Sequence, residues 1–289
     1  MNEISLNSFK NFIPKRSPDS FKGQNGKVLV IGGSNDFIGA PALSAMAALA
    51  ALRSGVDIVT VAAPEKAGFI INSFSPDIIV KKFSGKNLSS KHLKMLFFVA
   101  KSFDAVLIGP GMGLNKDTQH LIQRIVKKLM RERIPLILDA DAIKAVKGMK
   151  FNGKVLLTPH KTEFEIFSGK TLFEEKFNLN KRIQTVKELA KKHKCIILLK
   201  GKIDIISDGE NISLNKTGNP GMTVGGTGDV LAGLCAGLTA LSRDLFKSAC
   251  AAAFINGLAG DNQLKKKGHS FIASDLLHEI PALIKKLSA

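Results

Sequence analysis

Between Asn219 and Gly233 the chain reads Asn-Pro-Gly-Met-Thr-Val-Gly-Gly-Thr-Gly-Asp-Val-Leu-Ala-Gly. The glycines of this stretch allow backbone conformations that are closed to other residues, and they let the backbone approach a ligand closely. The proline-free run from Val230 to Leu238 contains only apolar and small residues, which predicts a buried helix. Free N–H groups and the positive dipole end at the start of such a helix favour a phosphate or a developing oxyanion.

Asp229 stands at the start of this predicted helix. A carboxylate beside a bound anion can act as a general base, and we expect it to be exposed and ionised. The alternative is that Gly-Thr-Gly-Asp is only a helix start, with Asp229 as its cap or first-turn acid. Taken alone, the loop favours neither interpretation, because short glycine motifs recur by chance.

The composition is that of a globular protein with a large core. The chain has 289 residues, 45% hydrophobic and 23% charged, which suits one large α/β domain or two small ones. No apolar run reaches the roughly 18 residues of a membrane-spanning helix, and no apolar signal segment follows the N-terminus. The three cysteines are scattered, which predicts reduced thiols in the cytoplasm and argues against a zinc site.

The net charge of +18 raises the question of a nucleic-acid partner. The lysines are dispersed, however, and the longest basic run is Lys265 to Lys267. No nucleic-acid recognition motif accompanies them. The charge is therefore better suited to attracting anionic small molecules, and we expect neither a nucleic-acid nor a membrane partner.

The order of the predicted elements indicates a parallel sheet. The run Lys27 to Ile31 predicts a buried strand, Ala40 to Leu52 a helix, and Val56 to Ala62 the next strand. This strand, helix, strand unit is typical of parallel sheets. We predict a three-layer α/β/α fold with a mostly parallel sheet, comprising a lead-in over residues 1–26 and a single domain over residues 27–289.

The same alternation continues to the C-terminus. A polar, basic connection is expected from Lys81 to Lys91, and a hairpin is expected around Asp208-Gly209. Further strands are predicted at 78–80, 105–108, 135–138, 155–157 and 195–199, and further helices at 93–100, 119–133, 182–192 and 248–260, with a last helix starting near Ser274.

Unusual residues follow strand after strand. Ligands of open α/β sheets bind outside the carboxyl ends of the strands, so we expect these segments to converge at one edge. Each has an ordinary alternative taken alone, such as a turn, a helix cap, a satisfied histidine or a surface lysine. The segments are Gly32 to Ser34, Gly109 to Gly113, Asp139 to Asp141, Thr158 to Glu163, Lys200-Gly201 and Asn219 to Asp229.

Together these segments resemble the ADP-dependent NAD(P)H-hydrate dehydratase family, a branch of the ribokinase-like superfamily. The most specific match combines Gly-Asn-Pro-Gly-Met from Gly218 with Gly-Gly-Thr-Gly-Asp-Val-Leu-Ala-Gly ending at Gly233. The resemblance extends from about Lys15 to the C-terminus. The other matching segments lie at 27–34, 38–40, 104–113, 138–142, 157–160 with Glu163, and 199–201.

The resemblance implies roles for individual residues. Asp229 matches the catalytic base and also a substrate contact. The other positions that match contacts to the hydrated dinucleotide are Ala40, Gly113 and His160. The adenine nucleotide is assigned to Lys200, Gly201, Lys202, Ile203, Asp204 and Gly228, and the anion hole to Gly226, Thr227 and Gly228.

The resemblance also implies the reaction. Members repair hydrated NADH or NADPH by dehydrating the (S)-epimer, with ADP or ATP as co-substrate; with ADP, the products include AMP and phosphate. Glu163 matches a residue that helps to place Mg²⁺ through water, and magnesium usually keeps several waters. The expected partners are a functionally linked, separate NAD(P)H-hydrate epimerase and further copies of the chain, in a tetramer.

The chain departs from the family pattern at four positions. Phe21 replaces a histidine, Phe37 a tyrosine, Asp204 an often-found threonine and Val224 a small residue. These departures concern substrate packing. Two alternative functions remain: a ribokinase-like kinase for a small alcohol such as hydroxyethylthiazole or hydroxymethylpyrimidine, and a non-catalytic basic binding protein.

Overall fold

The computed structural model describes residues 2–9, 12–14, 16–35, 40–170 and 178–288. The strands are β1 (Asn2–Glu3), β2 (Lys27–Ile31), β3 (Ile58–Pro64), β4 (Ile79–Phe83), β5 (Ala105–Ile108), β6 (Leu136–Leu138), β7 (Val155–Leu157), β8 (Ile196–Leu199), β9 (Asp204–Ser207) and β10 (Ile212–Asn215). The α-helices are α1 (Ala40–Arg53), α2 (Glu65–Phe74), α3 (Leu93–Ala100), α4 (Lys116–Arg131), α5 (Asp141–Ala145), α6 (Lys161–Ser168), α7 (Leu179–His193), α8 (Thr227–Ser242), α9 (Leu245–Lys267) and α10 (Ala273–Ser288).

All these strands form one sheet in the order β1-β10-β9-β8-β7-β6-β5-β2-β3-β4. Strand β9 pairs antiparallel with both β8 and β10, and the other pairings in the described residues are parallel. The antiparallel β9–β10 pair is the predicted hairpin, with Gly209 at a φ of 96° in its turn. The mostly parallel sheet is confirmed.

Side chains on the two faces of the sheet belong to two different cores. Val28 and Val30 of β2 pack into a core with α1, α8, α9 and α10, whereas Leu29 and Ile31 pack into a second core with α3, α4 and α7. Successive side chains of a strand point to opposite faces, so a strand that is covered by helices on both sides is apolar throughout. The predicted three layers are therefore confirmed.

Helix α8 lies in the first of these cores and is held close to α1. A Cβ atom added at Gly233 would lie 2.0 Å from the Ala47 carbonyl oxygen, and one added at Gly237 would lie 2.0 Å from Ser54 Oγ. Only glycine permits this approach. The contact fixes α8 against α1, and the glycine-rich loop stands at the N-terminus of α8.

Three features differ from the expectations. Lys81 and Lys82 belong to the edge strand β4 and not to a connection, and α2, which the sequence did not indicate, precedes that strand. Within the lead-in, Asn2–Glu3 pairs with β10 at the opposite edge of the sheet. No helix in the described ranges is both long and apolar enough to cross a bilayer.

Candidate active site

The glycine-rich loop is braced on both sides before α8 begins. Pro220–Thr223 forms a 3₁₀ turn capped by Asn219, whose Oδ1 accepts from the Gly221 N–H at 3.0 Å. The Asn219 amide donates to Asp261 Oδ1 at 3.0 Å, and Asp261 Oδ2 accepts from the Gly218 N–H at 3.0 Å. Asp261 of α9 therefore anchors the start of the loop, a role that no sequence signal indicated.

The end of the loop requires glycine for two separate reasons. Gly226 caps α8 with a φ of 97° and no side-chain hydrogen bond, and a Cβ there would lie 2.4 Å from Met46 Cε. A Cβ added at Gly228 would lie 3.2 Å from Lys200 Nζ. The cap of α8 is thus Gly226, and Asp229 is a first-turn acid. The first N–H groups of α8, from Thr227 onwards, have no partner within the helix and can bind an anion.

Asp229 is buried, with 9% of its surface exposed, which corrects the expectation of an exposed carboxylate. Burial, with the nearby Asp139 carboxylate, raises the pKa of Asp229 from 3.8 to about 7, and the Lys200 ammonium opposes this rise. The expectation of a fully ionised group at neutral pH is therefore wrong. A carboxyl group with a pKa near the working pH suits a general base.

Three side chains from the ends of neighbouring strands meet beside Asp229. Asp139 follows β6, Thr158 follows β7 and Lys200 follows β8. Asp139 Oδ1 accepts from Thr158 Oγ1 at 2.7 Å and from Lys200 Nζ at 3.1 Å. Burial disfavours the charge on Lys200, but the Asp139 and Glu163 carboxylates outweigh burial and raise the pKa of the ammonium. Lys200 is therefore a cation at the start of α8.

His160 and Glu163 form a capping box at the start of α6. The Glu163 Oε2 atom accepts from the His160 N–H at 2.9 Å, and His160 Nδ1 accepts from the Thr162 and Glu163 N–H groups at 3.1 and 3.4 Å. The Glu163 residue is 4% exposed, whereas 53% of the His160 side chain is exposed. The imidazole is thus open to a ligand, and its Nε2 atom lies 3.4 Å from Glu163 Oε1.

The loop after β5 lies against the end of β6. A Cβ at Gly109, which has a φ of 131°, would lie 1.8 Å from the Asp139 carbonyl oxygen, so only glycine fits. The Gly113 N–H donates to Asp141 Oδ2 at 2.9 Å, and Gly33 N–H donates to the Pro110 carbonyl at 2.8 Å. The expected convergence of the strand-end segments is therefore present.

The proposed nucleotide segment is a tight turn between β8 and β9. Asp204 accepts from the Gly201 N–H through Oδ1 at 2.9 Å and from the Asn215 amide through Oδ2 at 2.9 Å. Burial raises the pKa of Asp204 against the opposing effect of these hydrogen bonds. Asp204 therefore closes the turn that begins at Lys200, whereas Gly201 and Lys202 are exposed and Ile203 is partly buried.

The structure describes Ala40 only in part and Phe37 not at all. Ala40 is the first residue of α1, and its side chain lies outside the described part of the structure, as does the whole of Phe37. Of the other departures, Phe21 is 69% exposed, and Val224 accepts from Thr227 Oγ1 through its carbonyl at 3.2 Å. The Val224 side chain is not required for that contact.

The carboxylates of this site also bear on the expected magnesium. Among the described residues, no group of three or more His, Cys, Asp or Glu side chains is arranged to hold a metal ion directly. Magnesium usually keeps several waters and binds through one or two carboxylates and substrate phosphates. The buried Glu163 carboxylate, acting through water, fits that kind of binding.

Comparisons with known proteins point to one family. A family described as NAD(P)H-hydrate dehydratase matches residues 28–282. The bifunctional NAD(P)H-hydrate repair enzyme Nnr of Pyrobaculum aerophilum is 43% identical over 271 residues, which are 94% of this chain and 53% of that protein. The chain thus spans about half the length of such bifunctional relatives.

Two further similarities concern proteins of about the same length. The ADP-dependent (S)-NAD(P)H-hydrate dehydratase of Nitrosopumilus maritimus is 42% identical over 278 residues, 96% of this chain and 94% of that protein. The crystal structure of the Bacillus subtilis ADP/ATP-dependent NAD(P)H-hydrate dehydratase, co-crystallised with ATP/Mg²⁺, superposes with a TM-score of 0.83 at 24% identity, covering 99% of this chain and 98% of that chain. The structural similarity shows the shared fold.

Proposed function

The chain belongs to the NAD(P)H-hydrate dehydratase family, and on this premise we propose that it dehydrates hydrated NADH and NADPH, as their (S)-epimers, at the expense of an adenine nucleotide. The observation that supports the proposal most is the position of Asp229. Its buried carboxyl group stands in the first turn of α8 next to the Lys200 ammonium and the amides that follow Gly226.

The reaction that we propose for this arrangement has two steps. Asp229 accepts the proton of the substrate hydroxyl as the hydroxyl oxygen attacks the terminal phosphorus of ADP, and AMP leaves. The carbon–oxygen bond of the phosphorylated intermediate then breaks, inorganic phosphate leaves, and the neighbouring ring carbon loses a proton as the double bond re-forms. The amides of Gly226, Thr227 and Gly228 and the Lys200 ammonium stabilise the negative charge on the transferred phosphoryl group.

The remaining contacts divide between the two substrates. We assign the hydrated dinucleotide to Ala40, Gly113 and the exposed His160 imidazole, and the adenine nucleotide to the turn from Lys200 to Asp204 with Gly228. Glu163 is assigned to Mg²⁺ through water, and a bound Mg²⁺ supplies charge neutralisation for the nucleotide phosphates. ADP is the proposed donor, because the 42% identical relative is an ADP-dependent enzyme.

A kinase for a small alcohol is the less supported function. The relatives above 40% identity bear dehydratase or repair-enzyme names. The test is to incubate the protein with hydrated NADH and Mg²⁺, with and without ADP or ATP, and to follow the absorbance of the reduced nicotinamide. Nucleotide-dependent recovery supports the dehydratase; phosphorylation of hydroxyethylthiazole without any recovery of NADH supports the kinase instead.

The same proposal includes an epimerase partner, a cytoplasmic location and a homo-oligomer. The bifunctional relatives suggest the link to an NAD(P)H-hydrate epimerase. The three free cysteines, all buried, fit a reducing compartment.

For the homo-oligomer, a tetramer according to the resemblance, the supporting surface is the apolar face of α2 and β4. On this face Phe74 and Ile79 are 51% and 48% exposed. Both residues line a groove of about 1030 Å³, together with Met46 and Leu277. Exposed apolar patches of this kind mark protein contacts.

Light scattering tests the oligomer with two matched variants. Phe74→Glu should weaken the assembly, whereas Phe98→Glu on α3, where the phenylalanine is 75% exposed, should not. A wild-type monomer at micromolar concentration would refute this part of the proposal.

A further inference from the structure

The Lys200 ammonium occupies a position that is electrostatically unfavourable in itself. It lies against Gly228 in the first turn of α8, since a Cβ added at Gly228 would be 3.2 Å from Lys200 Nζ. The N-terminus of a helix bears roughly half a positive charge, so cations are normally disfavoured there. A lysine in this place therefore needs nearby negative charge to hold it.

The Asp139 carboxylate is the negative charge nearest to the Lys200 ammonium. It is 3% exposed, and its Oδ1 atom accepts from Lys200 Nζ at 3.1 Å. The fully buried Thr158 donates to the same oxygen at 2.7 Å, which fixes the carboxylate from the side of β7. One oxygen thus accepts two donors that arise from two neighbouring strands.

The backbone around Asp139 is strained in a way that fits a positioning role. Ala140 has a φ of 49° and a ψ of −118°, although alanine rarely adopts a positive φ. Such conformations are energetically costly and persist where the surrounding structure enforces them, often at functional sites. The Asp139 carbonyl is also enclosed by Gly109, where any Cβ would lie 1.8 Å away.

We propose that Asp139 is a positioning residue for the reaction: together with Thr158 it holds the Lys200 ammonium at the start of α8, where the ammonium faces both Asp229 and the transferred phosphoryl group. The last part of this inference rests on the proposed function, whereas the placement of Lys200 beside Asp229 does not. Asp139 thus acts through Lys200 and does not itself contact the substrate.

The charges that face Asp229 determine whether its pKa rises or falls in each variant. They come from Asp139 after β6, Glu163 in α6 and Lys200 after β8, and the two carboxylates raise the pKa of Asp229 whereas Lys200 lowers it. Asp139→Asn removes this negative charge, and with it a repulsion on Asp229, but keeps an Oδ1 atom that can still accept from Lys200 Nζ and Thr158 Oγ1. The Asp229 midpoint must then fall, whereas removing the Lys200 charge must raise it.

The experiment compares Asp139→Asn, Lys200→Met and wild type in two readouts. Carboxyl ¹³C NMR of aspartate-labelled protein follows the titration of Asp229, which is assigned by the loss of its signal in Asp229→Asn. The second readout is the acid limb of kcat/KM with hydrated NADH and ADP. We expect Asp139→Asn to lower both midpoints by about one pH unit and Lys200→Met to raise both by a similar amount.

Glu279→Gln is the matched control, since it breaks another carboxylate–lysine pair, with Lys266 Nζ at 2.6 Å, outside this site. It should leave both midpoints unchanged. Midpoints that stay unchanged in Asp139→Asn, or that move in the same direction in both site variants, overturn the inference. If Asp139→Asn does not fold, Asp139→Ser is measured in its place, and the same fall in both midpoints is expected.

The two proposals fail differently. Opposite NMR shifts in a protein whose wild type does not dehydrate hydrated NADH refute the proposed function, while they support the placement of Lys200 by Asp139. Normal wild-type turnover with no NMR shift in either variant refutes the placement and leaves the proposed function intact.

Discussion

Replacing Asp229 by asparagine tests the catalytic assignment and the burial of the carboxyl group at the same time. Asparagine keeps the size of the side chain and removes the proton acceptor. A positioned base contributes on the order of a hundred- to ten-thousand-fold in rate. We therefore expect Asp229→Asn to lose at least a hundred-fold in kcat, with adenine-nucleotide binding largely preserved.

The same substitution should stabilise the protein above neutral pH. The folded-state pKa of Asp229 is raised, so folding favours the protonated carboxyl group. This contribution to the free energy of unfolding is complete below pH 3.8 and is lost as the pH rises through about 7. The difference between 3.8 and about 7, at 1.36 kcal/mol per pKa unit, corresponds to about 4 kcal/mol. Asparagine carries no charge, so the variant does not lose this stability at any pH.

The assay is thermal unfolding of wild type and Asp229→Asn from pH 4 to pH 8. The variant's advantage should grow across this window, and a gain of about 4 kcal/mol corresponds to roughly 10 °C in Tm at pH 8 for a chain of this size. Comparing the two proteins at each pH cancels the other titrating groups. Equal or lower stability of the variant at pH 8, together with surviving turnover, would falsify both the burial argument and the catalytic role.

Four other outcomes are expected, the first from the resemblance, the last from the sequence and the other two from the structure. ADP should support faster turnover than ATP, and rates with ATP clearly ahead would contradict this. Lys200→Ala should weaken the nucleotide more than the hydrated dinucleotide in calorimetric titrations, and an equal loss of both affinities would contradict the two subsites. Gly237→Ala should lower Tm by several degrees, since its Cβ would lie 2.0 Å from Ser54 Oγ, whereas Gly225→Ala, with no atom within 4 Å of the added Cβ, is the control; equal Tm values would refute the close α1–α8 contact. Binding to duplex DNA should be weak despite the net charge of +18, because the lysines are dispersed, and tight binding with a steep salt dependence in fluorescence anisotropy would contradict this.

The sequence alone was sufficient for the layers of this fold. Strands at Ala105–Ile108 and Val155–Leu157 and the helix at Leu93–Ala100 have the predicted bounds. When helices cover both faces of a sheet, its strands are apolar throughout, so apolar runs bounded by glycine and proline can be recognised as strands. At the solvent-exposed edge the pattern is weaker: the start of β4 was predicted, but its lysines were assigned to a connection, and α2 was not predicted.

The sequence also indicated which segments meet at the carboxyl ends of the strands, because glycines and ionisable residues at strand ends are local signals. It gave no information on which groups interact. The pairing of Asp139 with Lys200 joins residues 61 positions apart, and the Asp261 anchor of the loop lies 42 positions from Asn219. Only the parallel order of β6, β7 and β8 brings the first pair together.

The charge state of Asp229 was decided by tertiary structure alone. From the sequence, a carboxylate next to helix N–H groups is expected to be ionised, since the helix dipole favours the negative charge. In the folded protein, burial and the Asp139 carboxylate oppose that local effect and raise the pKa to about 7. A pKa depends on the surrounding solvent and charges, and those are fixed only when distant segments of the chain pack together.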